Sequence, residues 1–403
     1  MSWALLALGA FGLISAINAY VPVERAWRRL LAPSYLLQLY ASETVPLQLT
    51  LNPLLMALFV YFGALDHWPG WVGLAFDLSA IAFFAAVERR ARLSTAKIIT
   101  QAFGEPLHFE LSPLPVFSRL QPLALVHGPW ERQVFSYGPA RRNTLDVYRP
   151  RGAQPNAPVL FFVHGGGWVM GGKRQQGRHM LEYFVRHGWV CVSINYRLSP
   201  GVRWPEHLYD CKRALAWVHA HIAEHGGDPS RIVAAGGSAG AQLAATLALS
   251  QNQPELQPGF EQGDTSLRAC LAFYAPFDLT HLFTVHGGLI GRRLVRLIFG
   301  RFEADADRLK AFEHASPMKR VQKGAPPFLV VHGTHDLMVP AEQSQSFAEA
   351  MRGVQSKVVH VELPGAIHAF DVFRSWRTGM VAQAAFAFAQ EAVSLPTQVG
   401  RRS

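Results

Sequence analysis

The chain predicts an α/β fold, with an eight-stranded, mostly parallel sheet carrying helices on both faces and a helical transmembrane region ahead of it. Three observations lead there. From about Gln133 onward, short β-rich runs alternate with helical patterns, the texture of strands joined by crossover helices. Long uncharged apolar runs lie before Arg89 and are of bilayer-spanning length. Glycine-rich turns follow two of the apolar strands.

Of the 403 residues, 50% are hydrophobic and 16% charged, which excludes a disordered or fibrous chain. Trp3 to Val23 carries no charge, and a helix needs roughly 20 residues to cross a ~30 Å hydrocarbon core. Thr44 to Leu65 is a second uncharged run, in which Pro46 and Pro53 predict a kink. Trp68 to Val87 is a third, interrupted only by Asp77. The turn Asp66-His67-Trp68-Pro69-Gly70-Trp71, flanked by interfacial aromatics, makes the last two runs a helical hairpin. A cleavable signal peptide is the rival for the first run, but no Lys or Arg precedes it and Ala16 to Ala19 is a poor cleavage site. Arg25, Arg28 and Arg29 follow the first run, and Arg89, Arg90, Arg92 and Lys97 follow the third. No Lys or Arg separates the second from the third. Three spans satisfy the positive-inside rule with the remainder of the chain in the cytoplasm. Asp77 is too costly against lipid and is expected to face the bundle or a polar partner, where intramembrane acids are often functional; the plainer alternative is a place near an interface or a cap on a distorted helix.

The net charge of +10 is nearly all arginine, since only 7 of the 38 basic residues are lysine. Such a balance is compatible with nucleic acid, an anionic membrane surface or merely an arginine-favouring genome, and no nucleic-acid reader motif accompanies it. Cys191, Cys211 and Cys270 lie far apart, which argues against a disulfide scaffold or a cysteine-built metal site. The expected organisation is a membrane region over residues 1–98, a connector over 99–132 and an α/β domain over 133–396, with an insertion at about 279–316.

Strands are expected around Gln133–Tyr137, Thr144–Tyr148, Val159–Val163, Val190–Asn195, Arg231–Ala235, Ala269–Tyr274, Phe328–Val331 and Lys357–Glu362. Helices fill the intervals, notably Pro205–Glu224, Ala239–Ser250, Ala341–Arg352 and Thr378–Val393. Within the insertion, Leu289–Phe302 interleaves four arginines with bulky apolar groups. That pattern fits an interfacial lid helix as well as an ordinary half-buried one.

Gly236-Gly237-Ser238-Ala239-Gly240 has the G-x-S-x-G pattern, between an apolar strand and an Ala-rich helix. A serine in so sharp a turn presents its hydroxyl to open space, and small residues two before and two after let the backbone pass. That motif alone is a weak signal, so its context decides. His164-Gly165-Gly166-Gly167-Trp168 follows the apolar strand Val159–Val163 and can present bare N–H groups to an oxyanion. The expected donors are Gly166, Gly167 and Ala239. A phosphate-cradling use of these glycines lacks a following G-K-[ST] and the G-x-G-x-x-G spacing. A serine nucleophile needs an imidazole base and a carboxylate to orient it. In the order Ser, acid, His, the candidates are Asp336, after the strand beginning at Phe328, and His368, after the strand ending near Glu362. Both fall at the C-terminal edge of the sheet, where open α/β folds gather their ligands. Asp278 comes too soon and shapes the insertion, Glu362 still lies in a strand, and Asp371 lies in the turn after His368. His164 shapes the glycine loop, and His314, His332, His335 and His360 are structural. No HExxH or other paired-ligand spacing calls for a metal, and no cofactor is expected.

Leu145-Asp-Val-Tyr-Arg-Pro150, the HGGGW loop with Gly172-Lys173, Asn195-Tyr-Arg-Leu-Ser-Pro200, Gly227-Asp-Pro-Ser-Arg-Ile232, GGSAG, Ala315-Ser-Pro317 and HGTHDLMVP together resemble the α/β-hydrolase esterases. The resemblance is to the hormone-sensitive-lipase group and its carboxylesterase and kynurenine-formamidase-like relatives, over about Gln133 to Val393. It implies a cofactor-free serine hydrolase with an eight-stranded sheet and a cap over the acyl site. Gly237 departs from the aspartate commoner at that place in the lipase group. The expected activity is that of a membrane-anchored serine carboxylesterase or lipase, with Ser238, His368 and Asp336 as the triad and a small-molecule or lipid ester as substrate. An amidase, formamidase or peptidase would use the same residues, and a non-catalytic binding module on a hydrolase fold is the alternative of another class.

Overall fold

A computed structural model describes residues 1–20, 41, 43–110, 128, 130–152, 155–285 and 289–395. Arg25, Arg28 and Arg29, and much of the expected connector, lie outside the described residues. The chain divides into two compact units. One comprises the N-terminal helices with residues 333–338 and 362–381, and the other the remainder of the described chain.

In the first unit, helix α1 (Ser2–Tyr20) packs on α3 (Trp68–Phe103), beside α2 (Val45–Tyr61). Small residues allow the crossing: a Cβ on Gly73 would stand 2.5 Å from the Leu6 nitrogen, and one on Gly9 would meet the Gly73 carbonyl. Trp3 and Trp68 meet edge to face, with ring centroids 5.7 Å apart. Ser2–Ala19 and α3 are long and apolar enough to cross a membrane. The expected span Thr44–Leu65 differs, because it forms a 17-residue helix with Pro53 inside it and then a short turn at Ala64–Asp66. The third run also differs: α3 continues past Val87 to Phe103, 36 residues in all or about 54 Å. Loss of hydropathy marks where a span should end, but Glu88-Arg-Arg-Ala-Arg-Leu93 are good helix formers and carry the helix on. Asp77 is fully buried. It shares the Gly12 face with Asn52, and a Cβ on Gly12 would lie 3.8 Å from both Asp77 Oδ1 and Asn52 Nδ2.

The sheet has eight strands in the order β1-β2-β4-β3-β5-β6-β7-β8. They are β1 (Trp130–Ser136), β2 (Thr144–Pro150), β3 (Ala157–Val163), β4 (Val190–Ile194), β5 (Gly227–Gly237), β6 (Ala269–Phe273), β7 (Phe328–Gly333) and β8 (Val358–Leu363). β2 is antiparallel to both β1 and β4, whereas the pairs from β4 through β3, β5 and β6 to β7 are parallel. β4, β6 and β7 are buried throughout, which explains their unbroken apolar runs; an alternating pattern would have signalled one wet face. β5 begins at Gly227 rather than Arg231, since Ala157 pairs with Gly227 ahead of the apolar run.

Helices α4 (Arg178–Arg186), α5 (Glu206–His221), α6 (Ala239–Leu249), α7 (Leu279–Val285), α8 (Leu289–Phe299), α9 (Asp305–Ala315), α10 (Glu342–Gly353) and α11 (Trp376–Ser394) occupy the connections. The insertion is α7 to α9. Asp278 Oδ1 accepts the His281 N–H at its start, 3.2 Å away. α8 is half-buried: Ile298 is enclosed and Leu294, Val295 and Phe299 pack on the core, while Arg292 and Arg293 face out. Of the apolar residues that suggested an interfacial helix, Leu294, Val295, Ile298 and Phe299 are thus packed against protein.

Candidate active site

β5 ends in a backbone turn that only crowding by small residues permits. Ser238 has φ 56° and ψ −126°, strained for a residue with a Cβ, and its N–H donates to the Phe273 carbonyl at 2.9 Å. A side chain on Gly236 would come within 2.5 Å of Gly240, and one on Gly240 would meet the carbonyls of Val163 and His164. Gly237, where an aspartate is commoner, faces the Tyr274 hydroxyl, 2.6 Å from a Cβ built there. Tyr274 therefore fills space that an acidic side chain would need, and no local motif announced it.

The glycine loop after β3 lies against this turn, with Gly165 so near that a Cβ on it would be 3.1 Å from Ser238 Cβ. Gln176 Oε1 takes the Gly165 N–H at 2.6 Å, and the Gly166 carbonyl accepts from Val169 and Met170. Among the described residues, the N–H groups of Gly166, Gly167 and Ala239 have no hydrogen-bond partner, and Ala239 opens α6, where N–H groups lack intrahelical acceptors. Three donors therefore remain open to an anionic oxygen. Leu294 of α8 lies 3.8 Å from the Cβ position of Gly167, so the insertion leans over this loop.

The loop is fastened from behind. Tyr196 donates to the His164 carbonyl at 3.0 Å and stacks on its ring, while Arg142 reaches the carbonyls of Tyr196 and Gly171, both at 2.9 Å. Asn195 Oδ1 accepts the Lys173 N–H at 2.8 Å. Fully buried Asp146 pairs with Lys173 at 2.7 Å and Arg174 at 2.6 Å. Burial raises the pKa of Asp146, but hydrogen bonds from Arg174 and Lys173 more than offset it and hold the carboxyl below its usual range. At Lys173 burial prevails and lowers the pKa. Asp146→Asn strands the buried ammonium and is expected to cost about 3–5 kcal/mol of stability, measurable by urea unfolding.

His164 sits with Nδ1 2.7 Å from the Gly165 carbonyl, and burial pushes its pKa down to about 4. Burial does the same to His207, also to about 4, beside the Ser199 hydroxyl at 3.0 Å. Both imidazoles fold in the neutral form, whereas in the unfolded chain they take a proton below pH 6.5. Their contribution is therefore intact above pH 6.5 and declines toward pH 4, by up to about 3 kcal/mol each. Unfolding midpoints measured from pH 7 to 4 should fall accordingly, and less steeply in His207→Gln.

In the other unit, two loops are laced together. Thr334 and His335 donate to the carbonyls of Leu363 and Ala366 at 3.0 and 2.9 Å, and the Gly365 N–H reaches Thr334 Oγ1 at 2.9 Å. Gly333 makes room, since a Cβ on it would strike Ala366. This lacing sets His368 Nδ1 2.6 Å from Asp336 Oδ2, both side chains buried, while Asp336 Oδ1 accepts the Met338 N–H at 2.8 Å. An Nδ1–H donated to the carboxylate leaves Nε2 as the basic nitrogen. Asp336 and His368 belong to one unit, and Ser238, Gly166, Gly167 and Ala239 to the other. Glu362 lies in β8, Asp371 in the turn after His368, and buried His332 is engaged by Ser344 and Val339.

The sheet order, the strained serine turn after β5 and the paired acid and histidine after β7 and β8 define an α/β-hydrolase. Within that class the chain belongs to the BD-FAE family, whose model matches residues 145–351. It is similar to esterase LipQ of Mycobacterium tuberculosis, 45% identical over 252 residues covering 62% of this chain and 59% of LipQ. Esterase LipC of the same species is 39% identical over 311 residues, covering 74% of this chain and 75% of LipC. The chain thus spans less than two thirds of LipQ's own length. Among solved structures, native esterase Est2 of Thermogutta terrifontis matches with TM-score 0.53 and 28% identity, over 68% of this chain and 95% of that one.

Proposed function

We propose that this chain is a membrane-anchored serine carboxylesterase in which Ser238, His368 and Asp336 act as a triad. The observation that carries the proposal is the strained Ser238 turn beside three open N–H donors, a constellation suited to tetrahedral acyl transfer. Ser238 Oγ attacks the ester carbonyl while His368 Nε2 takes its proton, and Gly166, Gly167 and Ala239 receive the negative oxygen. The proton then passes to the departing alcohol, leaving an acyl-serine. Water, deprotonated by the same imidazole, adds to that acyl carbon; the bond to Ser238 Oγ then breaks, the imidazolium returns the proton to Oγ, and the acid leaves. Asp336 holds the ring and stabilises its cationic form.

That the similar proteins LipQ and LipC are named esterases supports an ester rather than an amide substrate for this chain. Est2 has also been solved with butyrate bound and phosphonylated by sarin, which supports a short acyl group and a phosphonate-reactive nucleophile. The apolar helices α1 and α3 support anchoring, α2 supplies a third apolar segment, and the arginines after α1 and within α3 favour a cytoplasmic catalytic half. Such a tether suits esters that partition into lipid. The full chain, purified in detergent, is expected to hydrolyse p-nitrophenyl butyrate well above the matching anilide and to carry a fluorophosphonate adduct on Ser238. Preference for the anilide would move the assignment to amides; an adduct on another serine, or no turnover, would reject it.

A further inference from the structure

The N-terminal helical unit reaches the loop that bears His368. Glu43, just ahead of α2, is fully buried and forms an ion pair with Arg377 in the first turn of α11. Its second oxygen accepts from Ser375 Oγ at 3.3 Å. Arg377 in turn donates from Nη2 to the carbonyl of Pro364, the residue that opens the His368 loop, at 3.3 Å. Ser375 and Thr378 close its other end: Ser375 Oγ accepts the Thr378 N–H at 3.1 Å, and Thr378 Oγ1 donates to the Phe373 carbonyl at 2.9 Å. Farther along α3, the Arg92 guanidinium lies over the Trp376 ring, 4.9 Å from its centroid. Both ends of the segment 364–378 are therefore gripped by one buried carboxylate and the side chains it organises.

We propose that Glu43 is a positioning residue for ester cleavage: through Arg377 and Ser375 the N-terminal helices hold His368 at its working position, so this region supports turnover as well as attachment. The inference rests on the triad reading above. A tether alone would need no buried carboxylate on this loop. Removing one member of a buried ion pair also costs stability, so the test must separate loop placement from folding.

In full-length protein in detergent, Glu43→Gln and Arg377→Met are expected to lower kcat for p-nitrophenyl butyrate at least tenfold per folded molecule, with KM within twofold. The double variant Glu43→Gln/Arg377→Met leaves no buried charge unpaired. It should regain thermal stability over Arg377→Met alone while kcat stays low, because the Pro364 anchor is still missing. Wild-type kcat in either folded single variant, or kcat recovering in step with stability in the double variant, would overturn the proposal. Ser238→Ala is run alongside: full turnover in that variant would overturn the triad reading itself, whereas its inactivity together with fully active Glu43 variants would overturn this inference alone.

Discussion

Ser238→Ala should lower kcat/KM toward carboxylic esters by at least about 10⁴-fold and abolish fluorophosphonate labelling, with no loss of thermal stability. The size follows from the proposed division of labour. Removing the nucleophile ends covalent catalysis, and what survives is the acceleration from substrate binding and open N–H donors, about 10³–10⁴ over water in serine hydrolases generally. Stability should hold or rise. Ser238 sits at φ 56°, a strain that alanine shares, so the substitution removes only a hydroxyl from a backbone already shaped by Gly236, Gly237 and Gly240. Steady-state kinetics with thermal unfolding of the same preparation check both halves. Activity within tenfold of wild type would reject Ser238 as the nucleophile.

Why this turn is visible in a bare sequence is a matter of local physics. The backbone at β5–α6 passes close enough to Val163 and His164 that only glycine fits at Gly240, and such demands leave a mark within five residues. The eight strands were legible for a similar reason, since β4, β6 and β7 are buried on both faces and appear as short apolar runs between turn signals. Features built from distant partners leave no such mark. Asp146 meets Lys173 across 27 positions, and Glu43 meets Arg377 across 334. The stretches around Asp146 and Lys173 carry the esterase resemblance but do not show that the two side chains meet, and nothing near Glu43 or Arg377 distinguishes either from any other charge. Tyr274 beside Gly237 is of the same kind: its hydroxyl stands where the turn lacks a side chain, but its sequence context is an ordinary strand end. The helical extension of α3 does not show in hydropathy, which reports the medium around a helix and says little about where its hydrogen bonds stop.

Asp336→Asn is the second large effect expected, a fall in kcat of about 10³–10⁴-fold with KM nearly unchanged. Asp336 receives the His368 Nδ1–H at 2.6 Å through Oδ2 and the Met338 N–H at 2.8 Å through Oδ1. The amide keeps the size and can keep Oδ1 on Met338, but its nitrogen then faces His368 and donates where the carboxylate accepted. The imidazole answers by carrying its proton on Nε2, and the nitrogen that under the proposed mechanism takes the Ser238 proton is occupied. The loss is thus one of tautomer and of charge opposite the imidazolium, so substrate binding should scarcely change. Asp336→Ala supplies the contrast. It removes the wrong donor as well as the acceptor, so the ring is free to adopt either tautomer. It should therefore retain as much activity as Asn or more, despite the larger cavity. If Asn retains wild-type kcat, or Ala falls far below Asn with a parallel loss of stability, Asp336 holds up the fold and does not orient the base.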